Sequence, residues 1–210
     1  MKQFFQTHIM TLRQRISLHV VGGLIVSLIC VMVFAKLADS VMEQEPLVTL
    51  DRAIADNLHA AATPATTQFF VFLSTLGYPG LFVMTMVAVL YHLWRRERLQ
   101  AGIWLAAYLG GELLNRLLKG MFARPRPSFV DPLVIEPDFS FPSGHAMQSM
   151  IMLGLLAYVL ASRVQNRRAR LGILFVCGVL IALIGLSRIY LGVHYLSDVS
   201  AGFTAGIPGC

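Results

Sequence analysis

Three short polar clusters interrupt an otherwise apolar chain of 210 residues. Together they contain three cations, two imidazoles, a turn with a glycine and a carboxylate. These are the groups needed to hold a phosphate through its oxygens and to attack its phosphorus. The clusters are Lys119 with Arg126 and Pro127, then Pro142-Ser143-Gly144-His145, and then Ser187-Arg188 with His194 and Asp198.

The cations come from two distant parts of the chain. Lys119 and Arg126 lie seven residues apart, prolines on both sides of Arg126 stiffen the segment, and Arg188 follows much later. Guanidinium groups bind phosphate oxygens as bidentate forks, whereas an ammonium adds a compact point charge. Three such cations suit a dianionic group.

The second cluster directly precedes an apolar run, residues 146–160, which predicts a helix. Ser143 is a suitable N-cap, and Gly144 lets the backbone approach a ligand closely. The free amides and the positive end of the helix dipole favour an anion at this point. His145 would lie in the first turn beside that anion, where an imidazolium can protonate a leaving alkoxide.

His194 and Asp198 are four residues apart, so on a helix they would share one face. The carboxylate could then accept a hydrogen bond from the imidazole Nδ1–H, which leaves Nε2 with a free lone pair. An imidazole held by a third group in this way is typical of a base or a nucleophile. We therefore interpret the pair as an attacking histidine with its orienting carboxylate.

In order and spacing, the three clusters resemble the signature motifs of the type 2 phosphatidic acid phosphatase superfamily. No motif position departs from the pattern, and the matched span covers residues 119–198. Vanadate-dependent haloperoxidases look like relatives that share these motifs, so the motifs alone do not identify the reaction. The rest of the chain must indicate which reaction is catalysed. The matching motifs are Lys119-x6-Arg126-Pro127, Pro142-Ser143-Gly144-His145 and Ser187-Arg188-x5-His194-x3-Asp198.

The resemblance implies a metal-independent phosphatase without a cofactor, which works through a phosphohistidine. His194 would be the nucleophile, Asp198 its orienting residue and His145 the general acid. A metal site is not predicted, because no second histidine or cysteine cluster accompanies His194 and Asp198. The residues implied to bind the phosphoryl oxygens are Lys119, Arg126, Ser143, Gly144 and Arg188.

The composition indicates a membrane protein. Hydrophobic residues make up 56% of the chain and charged residues 13%, and the mean hydropathy is +0.67. These values predict one integral membrane domain, residues 1–210, folded as an all-α polytopic helix bundle with about six transmembrane spans. The predicted spans are residues 16–37, 68–94, 100–121, 146–161 and 171–191, with a last one that starts near residue 199.

Three segments depart from a simple series of membrane spans. We expect the first apolar run to be a retained span, since it is long for a signal peptide and lacks a cleavage site. The acidic stretch 39–67 predicts an amphipathic helix on the membrane surface, and Gly77-Tyr78-Pro79-Gly80 predicts a break in the second span. Only twelve residues follow Asp198, and Pro208-Gly209 would disrupt their last turn. The last helix is therefore expected to be truncated or to end inside the bilayer.

Arginine positions predict the orientation. Basic short connections stay on the cytoplasmic side, which places the two arginine clusters inside and all three polar clusters outside. We expect a multi-pass protein of the cell membrane, of the bacterial inner-membrane type, with its site on the periplasmic or extracellular side. The net charge of +6 comes mainly from these arginines, so no nucleic-acid partner is predicted. The arginines are Arg95, Arg96 and Arg98, and Arg163, Arg167, Arg168 and Arg170.

The third predicted span carries a polar stripe, with ionisable residues spaced to share one helix face. Such residues are costly inside a membrane and face the bundle interior or a cavity. Two interpretations remain open, an ion pair that only packs the bundle or a wall of the catalytic cavity. The stripe consists of Glu112, Asn115, Arg116 and Lys119. Gly202-x3-Gly206 is a separate, weaker indication of close helix packing.

The sequence therefore predicts an enzyme that hydrolyses a head-group phosphate of a membrane lipid at the outer leaflet. Phosphatidylglycerophosphate, phosphatidate and undecaprenyl diphosphate are the candidate substrates, and the bilayer itself is the expected partner. The alternative is a lipid-linked phosphotransferase that uses the same site with another acceptor. A more remote alternative is a non-catalytic membrane scaffold.

Overall fold

A computed structural model describes residues 2–43 and 46–207, with side chains from residue 20 onward. The secondary structure of this part is helical, which confirms the predicted all-α bundle. Pro208 and Gly209, predicted to disrupt the last turn, lie outside the described residues. The helices are α1 (Lys2–Met42), α2 (Pro46–Ala60), α3 (Pro64–Thr75), α4 (Leu81–Trp94), α5 (Arg98–Phe122), α6 (Gly144–Arg163), α7 (Arg167–Tyr190) and α8 (Leu196–Gly206).

Four stretches of the described chain are long and apolar enough to cross a membrane, as a multi-pass membrane protein requires. Helix α5 has 25 residues, a length of about 37 Å, which is long enough to cross a membrane. It is not among the four apolar stretches because its polar stripe makes it less apolar than they are. Helix α8 has 11 residues. The count of about six spans stays a prediction. The four stretches are Val20–Met42, Pro64–Trp94, Gly144–Arg163 and Arg167–Tyr190.

The break predicted at Gly77-Tyr78-Pro79-Gly80 is instead a π-helical turn, Leu76–Gly80, that joins α3 to α4 without interruption. The wider turn accommodates Pro79, which has no N–H to donate to the helix ladder. Gly77 lies in this turn and is buried. A Cβ atom at Gly77 would overlap Ile184 and lie 3.3 Å from the His145 ring. The turn thus brings α3 close to the first turn of α6 and to α7.

The acidic stretch forms the predicted amphipathic helix as α2, although its contacts differ from those expected at a membrane surface. Ile54 and Leu58 pack on the bundle, against a cluster that includes Ile189 and Val199. Asp51 also faces the bundle and is fully buried. Its burial is possible because Arg124 donates a hydrogen bond to its carboxylate, a contact that the sequence did not indicate. Helix α2 therefore covers the end of the bundle where α7 and α8 meet.

Helix α6 is the centre of the bundle and packs against α5, α7 and α8. Its Met147 and Met152 are fully buried in a core cluster with Trp104 of α5 and Ile184 of α7. Because α5, α6 and α7 alternate in direction, their polar ends Lys119, His145 and Arg188 meet at one end of the bundle. The arginine-rich turns, residues 95–98 and 163–170, lie at the other end.

Glycines allow α8 to approach α6 at backbone distance. A Cβ at Gly202 would lie 2.6 Å from the carbonyl oxygen of Ser143 and 2.9 Å from Cβ of Ala146. A Cβ at Gly206 would lie 2.9 Å from the carbonyl oxygen of Met147. The Gly202-x3-Gly206 pair therefore allows α8 to pack directly against the backbone of the first turn of α6.

We predict that Gly202→Ala destabilises the protein, because the backbone of Ser143 cannot move aside as a flexible side chain would. Overpacking of this kind costs about 1–3 kcal/mol. The matched control is Gly178→Ala in α7, where a Cβ meets nothing within 4 Å. Thermal unfolding of the purified proteins in detergent should show a lower midpoint for Gly202→Ala alone. Equal midpoints for the two variants would contradict the backbone contact.

Candidate active site

The structure brings all the predicted site residues to one end of the bundle, although they come from four separate elements. Lys119 ends α5, His145 begins α6 and Arg188 lies in the last turn of α7. Lys119, His145 and His194 line a single cavity of about 520 Å³. Asp198, in the first turn of α8, lies behind His194 and is fully buried.

The Pro142-Ser143-Gly144-His145 segment starts α6 as expected. Ser143 is the N-cap, and its side chain accepts from the backbone of Ala146 at 3.5 Å. The Ser143 amide donates to the Asp198 carbonyl at 3.0 Å, which ties this helix start to α8. A Cβ at Gly144 would lie 2.9 Å from Oδ1 of Asn115, whose amide donates to the Pro142 carbonyl at 3.2 Å. Glycine is thus favoured at position 144 because the Asn115 side chain of α5 lies too close for a Cβ atom.

His194 and Asp198 are neighbours, but for a different reason from the predicted shared helix face. His194 lies outside the helix, since α8 begins at Leu196. Asp198 is the third residue of α8, and its Oδ2 accepts from the Tyr195 amide at 2.8 Å. This capping contact turns the chain back, so that Oδ2 also lies 3.5 Å from Nδ1 of His194.

The surroundings of His194 determine its tautomer. Nη1 of Arg126 lies 3.1 Å from Nε2 of His194, and a guanidinium can only donate. Nε2 must therefore carry the lone pair, and the proton of the neutral ring lies on Nδ1, which faces Asp198. Burial, reinforced by the charges of Arg126 and Arg188, holds the pKa of His194 well below its ordinary value. The imidazole is thus neutral and its lone pair points toward the cavity side occupied by Arg126.

Each cation that was predicted to bind phosphate is paired with a carboxylate of the loop before Pro142. Glu136 binds both Arg126, at 2.8 Å, and Arg188. Asp138 binds both Lys119 and Arg126. Neither carboxylate was among the residues predicted for the site. The sequence signal was that the three positive and three negative charges between Lys119 and Asp138 sum to zero, although Arg124 and Asp131 find their partners outside this segment.

The two loop carboxylates are ionised in this arrangement. Burial opposes ionisation of Glu136, but the charges of Arg188 and Arg126 outweigh it and lower its pKa. Burial likewise opposes ionisation of Asp138, whereas hydrogen bonds from Lys119 and Arg126 lower its pKa. The cavity therefore contains oppositely charged groups in direct contact, rather than free cations.

His145 contacts residues that lie outside the three motifs. Its Nε2 lies 3.4 Å from Oγ of Ser74, and its ring centre lies 5.1 Å from that of Tyr78. Arg188 donates to the same Ser74 hydroxyl. Ser74 of α3 thus connects a predicted phosphate-binding cation to the predicted general acid. A single serine in an apolar helix gives no sequence signal for such a contact.

The polar stripe of α5 fits both interpretations that the sequence left open, an ion pair and a wall of the cavity. Arg116 donates to Glu112 at 2.8 Å, and Tyr78 donates to the same carboxylate at 2.6 Å. Glu112, Asn115 and Arg116 also line the cavity that contains the two histidines. The ion pair is therefore part of the cavity wall.

Arg124, for which no role was predicted, is buried behind the site. Its Nη1 donates to Oδ1 of Asp198 at 2.5 Å, and its Nη2 donates to Asp51 at 2.9 Å. Asp51 lies in α2, far from the motifs in sequence. Neither contact could be expected from local periodicity.

Comparison with protein families and curated proteins gives consistent results. Residues 100–208 match the model of the PAP2 superfamily. The chain is 41% identical over 97 residues to phosphatidylglycerophosphatase B of Bacillus subtilis, which covers 45% of this chain and 47% of that protein. It is 33% identical over 143 residues to undecaprenyl-diphosphatase of Sulfolobus acidocaldarius, covering 65% of this chain and 63% of that protein. The matches thus span about half to three fifths of these relatives.

Two solved structures share the fold. One is a crystal structure of a transmembrane PAP2 type phosphatidylglycerolphosphate phosphatase from Bacillus subtilis, with a TM-score of 0.80 and 28% identity. That match covers 87% of this chain and 91% of the other. The second is Aquifex aeolicus LpxE, with a TM-score of 0.59, 25% identity and coverage of 76% and 92%. The likeness therefore extends well beyond the motif span.

We predict that His194 stays neutral, as the Nδ1–H tautomer, when the pH falls through 6.5, the usual value for histidine. Since folding lowers the pKa of His194, its protonation disfavours the folded state. The stability of the folded state therefore decreases as the pH falls below the pKa that His194 has in the unfolded chain. Nitrogen-15 spectra of histidine-labelled protein in detergent would measure this. The His194 signals are those that disappear in His194→Ala, and titration near 6.5 would contradict the described surroundings.

Proposed function

Because the chain belongs to the PAP2 superfamily, we propose that it is a membrane lipid phosphatase that acts through a phosphohistidine. The observation that carries the proposal is a cavity lined by both His194 and His145, together with Lys119. His194 is neutral and buried there, and Arg126 contacts its Nε2. Two imidazoles and several cations around one cavity suit in-line attack on a phosphate.

In the proposed first step, Nε2 of His194 attacks phosphorus and forms the N–P bond while the P–O bond to the lipid breaks. His145, which carries a proton as imidazolium once the phosphate dianion is bound beside it, gives that proton to the departing oxygen. In the second step, His145 takes a proton from water, the hydroxide attacks phosphorus, and the N–P bond breaks. Inorganic phosphate leaves and both histidines return to their starting states. In this mechanism Asp198 accepts a hydrogen bond from the Nδ1–H of His194, which requires the 3.5 Å separation of Oδ2 and Nδ1 to shorten.

Phosphate would be held by the cations that are now paired with loop carboxylates. Arg126 and Arg188 share Glu136, and Lys119 shares Asp138 with Arg126. A phosphate dianion offers the same charge and the same kind of acceptor oxygens as the two carboxylates. Binding would therefore exchange one set of oxygens for the other and release Arg126 from His194. Ser143 and Gly144 add the start of α6 to this phosphate-binding set.

The proposed substrate is a lipid because the site lies at the end of a multi-pass bundle, where a head group can enter from the bilayer. The relatives named above act on phosphatidylglycerophosphate and undecaprenyl diphosphate, and phosphatidate is the simplest lipid phosphate of this type. The proposed site opens at the outer leaflet of a bacterial inner membrane. This side is the one opposite the arginine-rich turns, which stay inside by the positive-inside rule.

Phosphate release by the detergent-purified protein tests the proposal. We expect release from at least one of phosphatidylglycerophosphate, phosphatidate and undecaprenyl diphosphate, with water as the only acceptor. His194→Ala should abolish it, because the N–P bond of the proposed mechanism forms on this residue. Release should persist in excess chelator. Preference for a soluble ester, or release only when a second lipid or sugar is added, would contradict the lipid hydrolase.

A second prediction concerns the exchange of carboxylates for phosphate. Glu136→Gln removes one negative charge beside Arg126 and Arg188, so vanadate, whose geometry resembles the phosphorus transition state, should inhibit about tenfold more tightly. The control is Asp131→Asn, an exposed carboxylate of the same loop that contacts His59 instead. Inhibition constants measured by phosphate release would show this. Weaker inhibition of Glu136→Gln would mean that Glu136 assists the anion.

A third prediction concerns sidedness. Ser128 and Gln165 are both exposed but belong to opposite ends of the bundle. In intact bacteria, Ser128→Cys should react with a membrane-impermeant maleimide, whereas Gln165→Cys should react only after permeabilisation. The unchanged chain, with three native cysteines, measures background labelling. The reverse pattern would place the site in the cytoplasm and contradict the outer-leaflet proposal, while the phosphatase chemistry would stand.

A further inference from the structure

A buried carboxylate of α2 lies behind the catalytic histidine, at the end of a chain of polar contacts. Asp51 is fully buried, although it lies outside the motifs and outside the part of the chain that matches the family. A buried carboxylate is costly unless it is paired and hydrogen-bonded. Asp51 satisfies this condition with both oxygens, and every partner belongs to the segment around the site.

The partners of Asp51 are Ser197 and Arg124. Oδ1 accepts from the Ser197 amide at 3.0 Å, and Oδ2 accepts from Nη2 of Arg124 at 2.9 Å and from the Ser197 hydroxyl. Nη1 of Arg124 donates to the Ser197 hydroxyl at 2.8 Å and to Oδ1 of Asp198 at 2.5 Å. The Tyr195 ring covers the guanidinium at 4.2 Å. Arg124 is thus clamped between two carboxylates.

Together with the Tyr195 amide, the clamp determines which oxygen of Asp198 faces His194. A guanidinium is a rigid planar fork, so fixing Nη2 on Asp51 also fixes the direction of Nη1. With Oδ1 held by Arg124, the other oxygen, Oδ2, is left to Tyr195 and to Nδ1 of His194. Without Asp51, Arg124 would have Asp198 as its single charged partner and could draw both of its oxygens away from the imidazole.

The clamp also decides the charge behind His194. Arg124 and Asp198 alone would form a neutral pair, which stabilises an imidazole Nδ1–H only weakly. Asp51 adds a second carboxylate, so the three buried groups together carry one negative charge. Burial raises the pKa of Asp198, and Arg124 opposes that rise, which helps to keep the carboxyl ionised. Asp51 therefore lets Arg124 hold Asp198 without cancelling its charge.

We propose that Asp51 is a positioning residue for the nucleophile, acting on His194 through Arg124 and Asp198. The inference rests on the proposed phosphatase function and adds to it a residue of the α2 helix. Asp51 touches neither the cavity nor the phosphate-binding cations. Its loss should accordingly slow the chemical step and leave substrate binding nearly unchanged.

The test compares Asp51→Asn with Asp56→Asn, the same change at an exposed position of the same helix. For Asp51→Asn, kcat for lipid phosphate hydrolysis should fall about 10- to 100-fold, as for other groups that orient a functional histidine. KM should change by less than about twofold, because Asp51 does not contact the cavity that binds the substrate. Asp56→Asn should match the unchanged chain. An unaltered kcat per folded Asp51→Asn molecule would overturn the proposal, even if its melting temperature fell.

Two further measurements keep the test decisive. Ser197→Ala retains every charge and removes only the hydroxyl between Asp51 and Arg124, so it replaces Asp51→Asn if that variant does not fold. It should lower kcat in the same way by a smaller factor. Nitrogen-15 spectra need no substrate: the unchanged chain should show a single Nδ1–H tautomer of His194, and Asp51→Asn or Ser197→Ala a mixture. Identical spectra would overturn the inference, whereas absence of phosphate release by the unchanged chain would overturn only the proposed function.

Discussion

Buried charge in an apolar bundle has to be neutralised, and the end of this bundle that holds the site is organised around that requirement. Cations from α5, α7 and the loop between α5 and α6 meet at this end and share carboxylates. Each is paired with one or two carboxylates, because an unpaired buried ion costs several kcal/mol. The pairs join Arg126 and Arg188 to Glu136, Lys119 to Asp138, and Arg124 to Asp51 and Asp198.

These pairs fall into two groups with different accessibility. Glu136 and Asp138 belong to the loop on the cavity side, and Asp138 is 55% exposed at its side chain. Asp51 and Asp198 are fully buried on the far side of His194. A phosphate bound in the proposed way would therefore replace the first pair of carboxylates and would not reach the second. In that proposal the same electrostatic requirement yields an exchangeable set of ligands in front of the histidine and a permanent set behind it.

Close backbone packing holds the two groups in register. Gly202 admits the start of α6 against α8, and Gly77 in the π turn admits His145 against α3. The Ser143 amide is bonded to the Asp198 carbonyl, so the helix that carries His145 and the helix that carries Asp198 are joined directly. Helix α1 adds Phe34, whose ring lies 5.7 Å from that of Phe141, next to Pro142. The elements outside the motifs therefore set the geometry of the residues inside them.

The sequence by itself determined the helical bundle, the start of α6 at Ser143 and the set of motif residues that meet at one end. These features depend on apolar run length, capping chemistry and the alternation of helix direction, all of which are local in sequence. It predicted that His194 and Asp198 would be neighbours but assigned the cause to a shared helix face, whereas the capping of α8 is responsible. Only the tertiary structure decided that Glu136 and Asp138 pair with the cations proposed to bind phosphate, that Asp51 and Arg124 lie behind His194, and that Ser74 contacts His145. Asp51 and Ser197 are 146 positions apart, and no periodicity records which buried carboxylate will face which cation. That choice is made by the packing of α2, α3 and the loop on the bundle, where desolvation forces each charge to find a partner.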